Sequence, residues 1–210
     1  MKYAGVQYLE CEDFDARFGV ETESLILVND LKVQSPNAAF ANRYATIPPG
    51  LLRMALEDLE INPAEFAFID LGSGKGRILL LAAAAPFKRI VGVEFSPELH
   101  RVAQQNLKRY RGPRECRDIS AVNADAACYE FPPEPCVIFM FDPFKGPVMH
   151  RVLTNLRQSV ERLDRRVLII FVNPHAVAEV EIKFAQSYGL QVLKNKPEYR
   201  IYKMAGRATA

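Results

Sequence analysis

The chain has 210 residues, with 27 Lys and Arg against 25 Asp and Glu, a net charge of +2 and 49% hydrophobic residues. That length bounds it to one domain, or one domain with a modest appendage, and the near-neutral balance gives no electrostatic case for a polyanionic partner. The longest nearly unbroken apolar run, Ile78 to Ala85, is eight residues, far short of the roughly 20 that cross a bilayer. The opening M-K-Y-A-G-V-Q-Y has no apolar signal-like stretch, so neither a membrane span nor secretion is expected. The cysteines Cys11, Cys116, Cys128 and Cys136 and the histidines His100, His150 and His175 lie scattered. Close ligand pairs of the kind that hold zinc are missing, so no metal is expected, and reduced thiols fit a cytoplasmic protein.

In chain order, the first fifty residues are irregular, with an acidic turn (E-C-E-D-F-D) and a Pro/Asn/Ala stretch (S-P-N-A-A-F-A-N-R-Y). Pro48 and Pro49 are placed to open a helix over L-L-R-M-A-L-E-D-L, and Asn62-Pro63 to end it. A strand–helix alternation follows. Phe66 to Leu71 is a short apolar strand, and a glycine-rich turn leads to a helix from about Arg77 to Ala85. Arg89 to Phe95 is a second strand, and Ser96-Pro97-Glu98 starts a helix that runs to about Tyr110. Strands are expected at Ser120–Asn123, Cys136–Phe141 and Arg166–Val172, with a helix at Val148–Leu163 before the last of these and another near Ala176–Tyr188. Apolar strands separated by helices imply a parallel sheet covered on both faces. At the C-terminus, L-Q-V-L-K-N-K-P-E-Y-R-I-Y-K-M reads as two strands joined by a tight turn, and strands so close together pair antiparallel. The expected architecture is an α/β fold of three layers, doubly wound and mostly parallel, ending in an antiparallel hairpin. Residues 1–46 form an N-terminal appendage and 47–210 the main domain.

The segment F-I-D-L-G-S-G-K-G-R lies on the turn from the first strand to its helix. Glycine there permits positive φ and close backbone approach by a ligand, and the following helix aims free N–H groups at it. A P-loop would need Ser or Thr after the lysine, but Lys75 is followed by Gly76 and Arg77. A dinucleotide fingerprint counted from Gly72 would need glycine where Arg77 stands. What remains is Asp70, two places ahead of Gly72-Ser73-Gly74-Lys75-Gly76. Glu94 ends the second strand, where a carboxylate can accept both hydrogens of a ribose diol.

This loop resembles that of the class I S-adenosylmethionine-dependent methyltransferases, and so does the stretch from about Tyr44 to Met204. N-R-Y-A-T-I-P-P, D-L-G-S-G-K-G-R-I-L-L-L-A-A and V-G-V-E-F-S-P-E-L are similar to a group of small bacterial methyltransferases of unassigned substrate. They are similar also to protein-lysine methyltransferases with a D-x-G-S-G-x-G-R loop. The resemblance implies a Rossmann-like methyltransferase fold with S-adenosylmethionine held by Asp70, Gly72, Ser73, Gly74, Gly76 and Glu94. It implies that Asp125 accepts from the adenine amino group, with the Ala126 N–H facing the ring and Phe95 packed on it; a turn or helix cap at Asp125 and a core place for Phe95 are the alternative readings. Tyr44 and Thr46 are implied lid residues, which makes the appendage a lid, and Asn173-Pro174 is implied to line the acceptor side. Asp142-Pro143-Phe144 resembles, one proline short, the (D/N)-P-P-(Y/F) motif of amino-methylating enzymes. It implies catalytic roles for Asp142, which holds the acceptor nitrogen, and for Phe144, which stacks on the acceptor.

Methylation of a protein side chain or another amine is the leading expectation. A nucleic-acid acceptor is the alternative, resting on the basic run Lys108, Arg109, Arg111, Arg114 and Arg117, which equally suits the solvated end of a helix. A cofactor-binding module without turnover and a nicotinamide-dependent oxidoreductase also remain open.

Overall fold

In the computed structural model the described residues are 13–23, 26, 35–42, 44–47, 50–172 and 185–206. Seven strands form one sheet in the order β3-β2-β1-β4-β5-β7-β6. They are β1 (Ala67–Leu71), β2 (Arg89–Glu94), β3 (Ile119–Asn123), β4 (Cys136–Phe141), β5 (Val167–Val172), β6 (Leu190–Asn195) and β7 (Tyr199–Met204). β1 to β5 run parallel, while β7 pairs antiparallel with both β5 and β6. The expected hairpin is therefore present, and it inserts its second strand next to β5. The order reverses at β1, whose two neighbours are β2 and β4. That switch point opens a crevice beyond the carboxyl ends of the strands, where sheets of this kind bind ligands.

The strands are near-continuous apolar runs because both faces are covered. Side chains alternate across the sheet, so Phe68, Val137, Phe139, Leu168 and Ile170 face one core and Ala67, Ile69, Leu71, Ile138 and Ile169 the other. The first core is closed by α1 (Phe14–Phe18), α2 (Leu51–Asp58) and α3 (Arg77–Ala82). α1 contributes Phe14 and Phe18, so the N-terminal part of the chain packs into this core. The second core is closed by α5 (Pro147–Arg162), through Val148, Val152, Leu153, Leu156 and Val160. α4 (Pro97–Arg109) packs against β2 and β3. Its start follows the expected chemistry, with Ser96 as N-cap accepting from the Leu99 N–H and Pro97 in the first turn.

Three expectations about helix ends shift. α2 begins at Leu51, after Gly50, and Pro48-Pro49 lies outside the described residues. It ends at Asp58 rather than at Asn62, because Asn62 caps a separate turn, Pro63–Glu65, by accepting from the Ala64 N–H. Of the helix expected at 176–188, residues 176–184 lie outside the described residues and 185–187 are helical. Among the described residues, no helix is long and apolar enough to cross a membrane, and no His/Cys/Asp/Glu group could hold a metal ion.

Candidate active site

The glycine loop leaves β1 at the switch point. The Gly72 and Ser73 N–H groups both donate to the Val93 carbonyl, at 2.9 and 3.1 Å, which ties the loop to β2. Gly72 (φ 83°) and Gly74 (φ 53°) sit in the left-handed region. Space forbids a side chain at either as well: a Cβ on Gly72 would lie 2.5 Å from Pro143 Cβ, and one on Gly74 would run into the Tyr44 ring. The loop is thus pressed between the D-P-F turn and the N-terminal part of the chain.

Glu94 ends β2 and is 3% exposed. Its carboxylate accepts from the Gly74 N–H and from the Ser96 N–H, each at 2.8 Å. Burial pushes it up to about 7, and the backbone donors of Ser96, Gly74 and Phe95 offset only part of that rise. Asp70 shares the sheet face of Phe68 by alternation. It is buried, and its Oδ2 has no hydrogen-bond partner among the described residues. Burial first, and then the neighbouring Glu94 charge, hold its carboxyl well above the usual range. Two buried carboxyls side by side, one with an orphaned oxygen, form a site that a cation would relieve. S-adenosylmethionine carries an ammonium, a sulfonium and a ribose diol, so these residues fit it.

The loop side of the sheet is crossed by a strap, residues 13–23, 35–42 and 44–47. Lys75 pairs with Glu21 at 2.6 Å. Arg77 reaches Glu23 at 3.2 Å and Asp15 at 3.8 Å, with its guanidinium 4.4 Å from the centre of the Phe14 ring. Asn106 of α4 donates to the carbonyls of both Glu21 and Lys75. The Tyr44 hydroxyl donates to the Thr22 carbonyl at 2.6 Å, and burial pushes its phenol upward. Thr46, two residues on, is half-buried.

Asp125 takes the cap position, the alternative reading for it. One oxygen accepts from the Ala127 N–H at 2.9 Å, capping a short turn over Ala126–Cys128. The other accepts from Asn37 Nδ2 at 2.6 Å and Ser35 Oγ at 3.1 Å. The carboxylate is engaged by its own chain as a cap and a clasp on the strap. Ala126, next to it, is buried. Phe95 is half-buried, and its carbonyl accepts from Asn123 Nδ2 at 3.2 Å.

Asp142 follows β4 in the left-handed region, with φ 40°, a conformation that costs a non-glycine residue on the order of 1 kcal/mol or more. Phe144, for which the resemblance implies stacking on the acceptor, is buried. It is 6% exposed within the second core, and its backbone forms an antiparallel bridge with Ala41. Glu94 thus accepts from the Gly74 N–H and adds to the burial that raises the Asp70 carboxyl, Pro143 lies against Gly72 and the Tyr44 ring against Gly74, while Phe144 is buried in the second core. Asn173-Pro174 lies outside the described residues. Asn37, Asn42 and Ser35, which bind the motif loops, belong to the irregular early stretch, where no local pattern marks them.

The basic run lies elsewhere. α4 starts at the carboxyl end of β2 and ends before the amino end of β3, so Lys108, Arg109, Arg111 and Arg117 are exposed at the opposite edge of the sheet. Arg114 donates to the carbonyls of Leu107 and Tyr110, which satisfies the end of the helix.

Residues 68–163 match a family model described as a methyltransferase domain. No curated protein matches. Among solved structures, precorrin-6y C5,15-methyltransferase from Geobacter metallireducens GS-15 superposes with TM-score 0.55 at 14% identity, covering 84% of this chain and 95% of that one. A ribosomal protein L11 methylase from Lactobacillus delbrueckii subsp. bulgaricus gives TM-score 0.53 at 13% identity, covering 75% of this chain and 77% of that one. The 23S rRNA methyltransferase ErmE gives TM-score 0.50 at 16% identity, covering 74% and 66%. A corrin precursor, a protein and an RNA are named by these three, so the likeness speaks for the fold and leaves the acceptor open.

Proposed function

We infer that this chain, an S-adenosylmethionine-dependent methyltransferase whose residues 68–163 match a methyltransferase-domain family, methylates an amine nitrogen on a protein side chain. The observation that carries the reading is the contact between the two motif loops. Pro143 packs against Gly72, which puts Asp142 beside the loop assigned to the methionine end of the cofactor.

The cofactor supplies a methyl group on a positively charged sulfur. The chain must bind it, keep water out and hold the acceptor nitrogen with its lone pair in line, which is mostly a matter of positioning. Asp70 and Glu94 supply negative charge for the cofactor. Asp142 is half-buried at the mouth of the turn, where a carboxylate attracts an ammonium and accepts a hydrogen bond from the nitrogen once it is neutral. A protein amine is favoured over nucleic acid because the exposed basic run stands at the far edge of the sheet. It cannot neutralise phosphates next to the crevice, as a nucleic-acid acceptor would require.

Two measurements test this. A thermal-shift panel should show stabilisation by S-adenosylmethionine and S-adenosylhomocysteine, and none by NAD or NADP. At a hundredfold excess over Kd the gain is about 2.7 kcal/mol. Cell lysate incubated with enzyme and methyl-labelled cofactor should then incorporate label that protease removes and nuclease leaves. Label removed by nuclease instead would replace the protein amine with a nucleic-acid acceptor.

A further inference from the structure

Asp142 is held in its unusual conformation by a residue from a distant part of the sequence. The obstacles to that conformation are local. The left-handed region disfavours any residue with a Cβ, and a following proline restricts its predecessor towards extended backbone. Something outside the turn must hold it. The holding element is the strap, in a short antiparallel ladder: the Lys145 N–H donates to the Phe40 carbonyl at 3.0 Å, and the Asn42 N–H donates to the Pro143 carbonyl at 3.0 Å. Ala41 and Phe144 form the bridge between them. At Asp142 a side chain continues the pairing, with Asn42 Nδ2 donating to the Asp142 carbonyl at 2.8 Å.

We propose that Asn42 is a positioning residue for methyl transfer. Its carboxamide fixes the peptide plane between Asp142 and Pro143, and thereby the direction in which the Asp142 carboxylate meets the acceptor nitrogen. The proposal rests on the role given above to Asp142. Asn42 touches neither cofactor nor acceptor and works only through that carbonyl. Loss of its side chain leaves the backbone bond to Pro143 intact, so the ladder and the fold survive the substitution.

The test needs no acceptor. S-adenosylhomocysteine probes the cofactor site alone. Sinefungin, which carries an amine on the carbon that replaces the sulfonium centre, also presents a nitrogen where the acceptor must approach. By calorimetry, Asn42→Ala and Asn42→Asp should bind S-adenosylhomocysteine within about threefold of the parent and sinefungin about tenfold more weakly, the scale of one lost charge-assisted hydrogen bond. Asn42→Gln, which keeps an amide donor, should recover part of the loss. The carbonyl carbon resonance of Asp142 should move in Asn42→Ala and return towards its parent position in Asn42→Gln. Equal weakening of both ligands would make Asn42 a merely structural residue, and unchanged sinefungin binding would remove it from positioning. Either result overturns this proposal alone. A parent protein that binds neither ligand overturns the methyltransferase reading as well.

Discussion

The crevice has two halves of different construction. In the half formed by β1 and β2, the residues proposed to hold the cofactor come from adjacent sequence. The glycines, Asp70 and Glu94 are brought together by two neighbouring parallel strands, and Glu94 holds the loop through the Gly74 N–H. In the half beyond β4, the decisive geometry is a strained residue held by a strap about a hundred positions earlier in the chain, through Asn42. Both halves meet the N-terminal strap, but the first is also tied through its own strands by the Gly72 and Ser73 N–H bonds to Val93, whereas the second is held by the strap's ladder and Asn42. Binding and chemistry should therefore respond to mutation separately.

The largest separation is expected at Gly74. In Gly74→Val, a β-branched side chain meets both a φ of 53° and the Tyr44 ring. The left-handed conformation alone costs roughly 1–2 kcal/mol, and displacement of the ring adds to it. S-adenosylhomocysteine affinity should fall by at least about 100-fold, with a lowered melting temperature, by calorimetry and thermal shift. Normal affinity would mean that the first half of the crevice does not hold the cofactor. Asp142→Ala is the counterpart in the second half. Cofactor affinity should stay within a few-fold while methyl transfer to the labelled lysate acceptor falls about 100-fold, the scale of a lost positioning group. Near-normal transfer would reduce Asp142-Pro143-Phe144 to a strand-ending turn.

Glu94→Ala gives a smaller effect confined to the first half. Besides losing the proposed ribose acceptor, the variant frees the Gly74 and Ser96 N–H groups. Affinity should drop by about 1.5–3 kcal/mol, the worth of hydrogen bonds to a charged group. Glu94→Gln, which keeps one oxygen acceptor, should lose less. If the two variants match the parent in calorimetry, Glu94 serves the loop and not the ligand.

The same division decides what the sequence disclosed. The strand–helix alternation, the C-terminal hairpin and the D-L-G-S-G-K-G loop are local patterns, because a buried parallel strand must be apolar and a tight turn needs glycine. The strap is not local. Ser35, Asn37 and Asn42 are ordinary polar residues in an aperiodic stretch, and their partners, Asp125 and the Asp142 carbonyl, become visible only once the chain is folded. Asp125 shows the consequence: its cap on Ala127 could be read locally, whereas its bonds to Ser35 and Asn37 could not. Phe144 shows it too. The motif alone gives no sign of its burial, which comes from the bridge to Ala41 and the surrounding apolar core.

The smallest effect, and the one most specific to the first half, is on pH. Glu94 titrates near 7 in the folded chain, above its ordinary value of 4.5, and Asp70 is held higher than usual beside it. The ligand-free fold thus binds more protons than the unfolded chain across that window. The stabilisation from Glu94 is fully present below about pH 4.5 and is lost as pH rises through about 7, a swing of up to ~3 kcal/mol. A cationic ligand reverses the preference, because it favours the ionised carboxylate and expels the proton. S-adenosylmethionine affinity should therefore climb by about tenfold from pH 6 to 8 and level off above the folded value, with proton release seen as buffer-dependent heat in calorimetry. S-adenosylhomocysteine keeps the ammonium but lacks the sulfonium charge, so its rise should be shallower. The part of the dependence near pH 7 should be lost in Glu94→Gln, which cannot ionise, leaving only what Asp70 contributes. A flat profile for both ligands in the parent would mean that the buried carboxylates do not face the cofactor's positive charge.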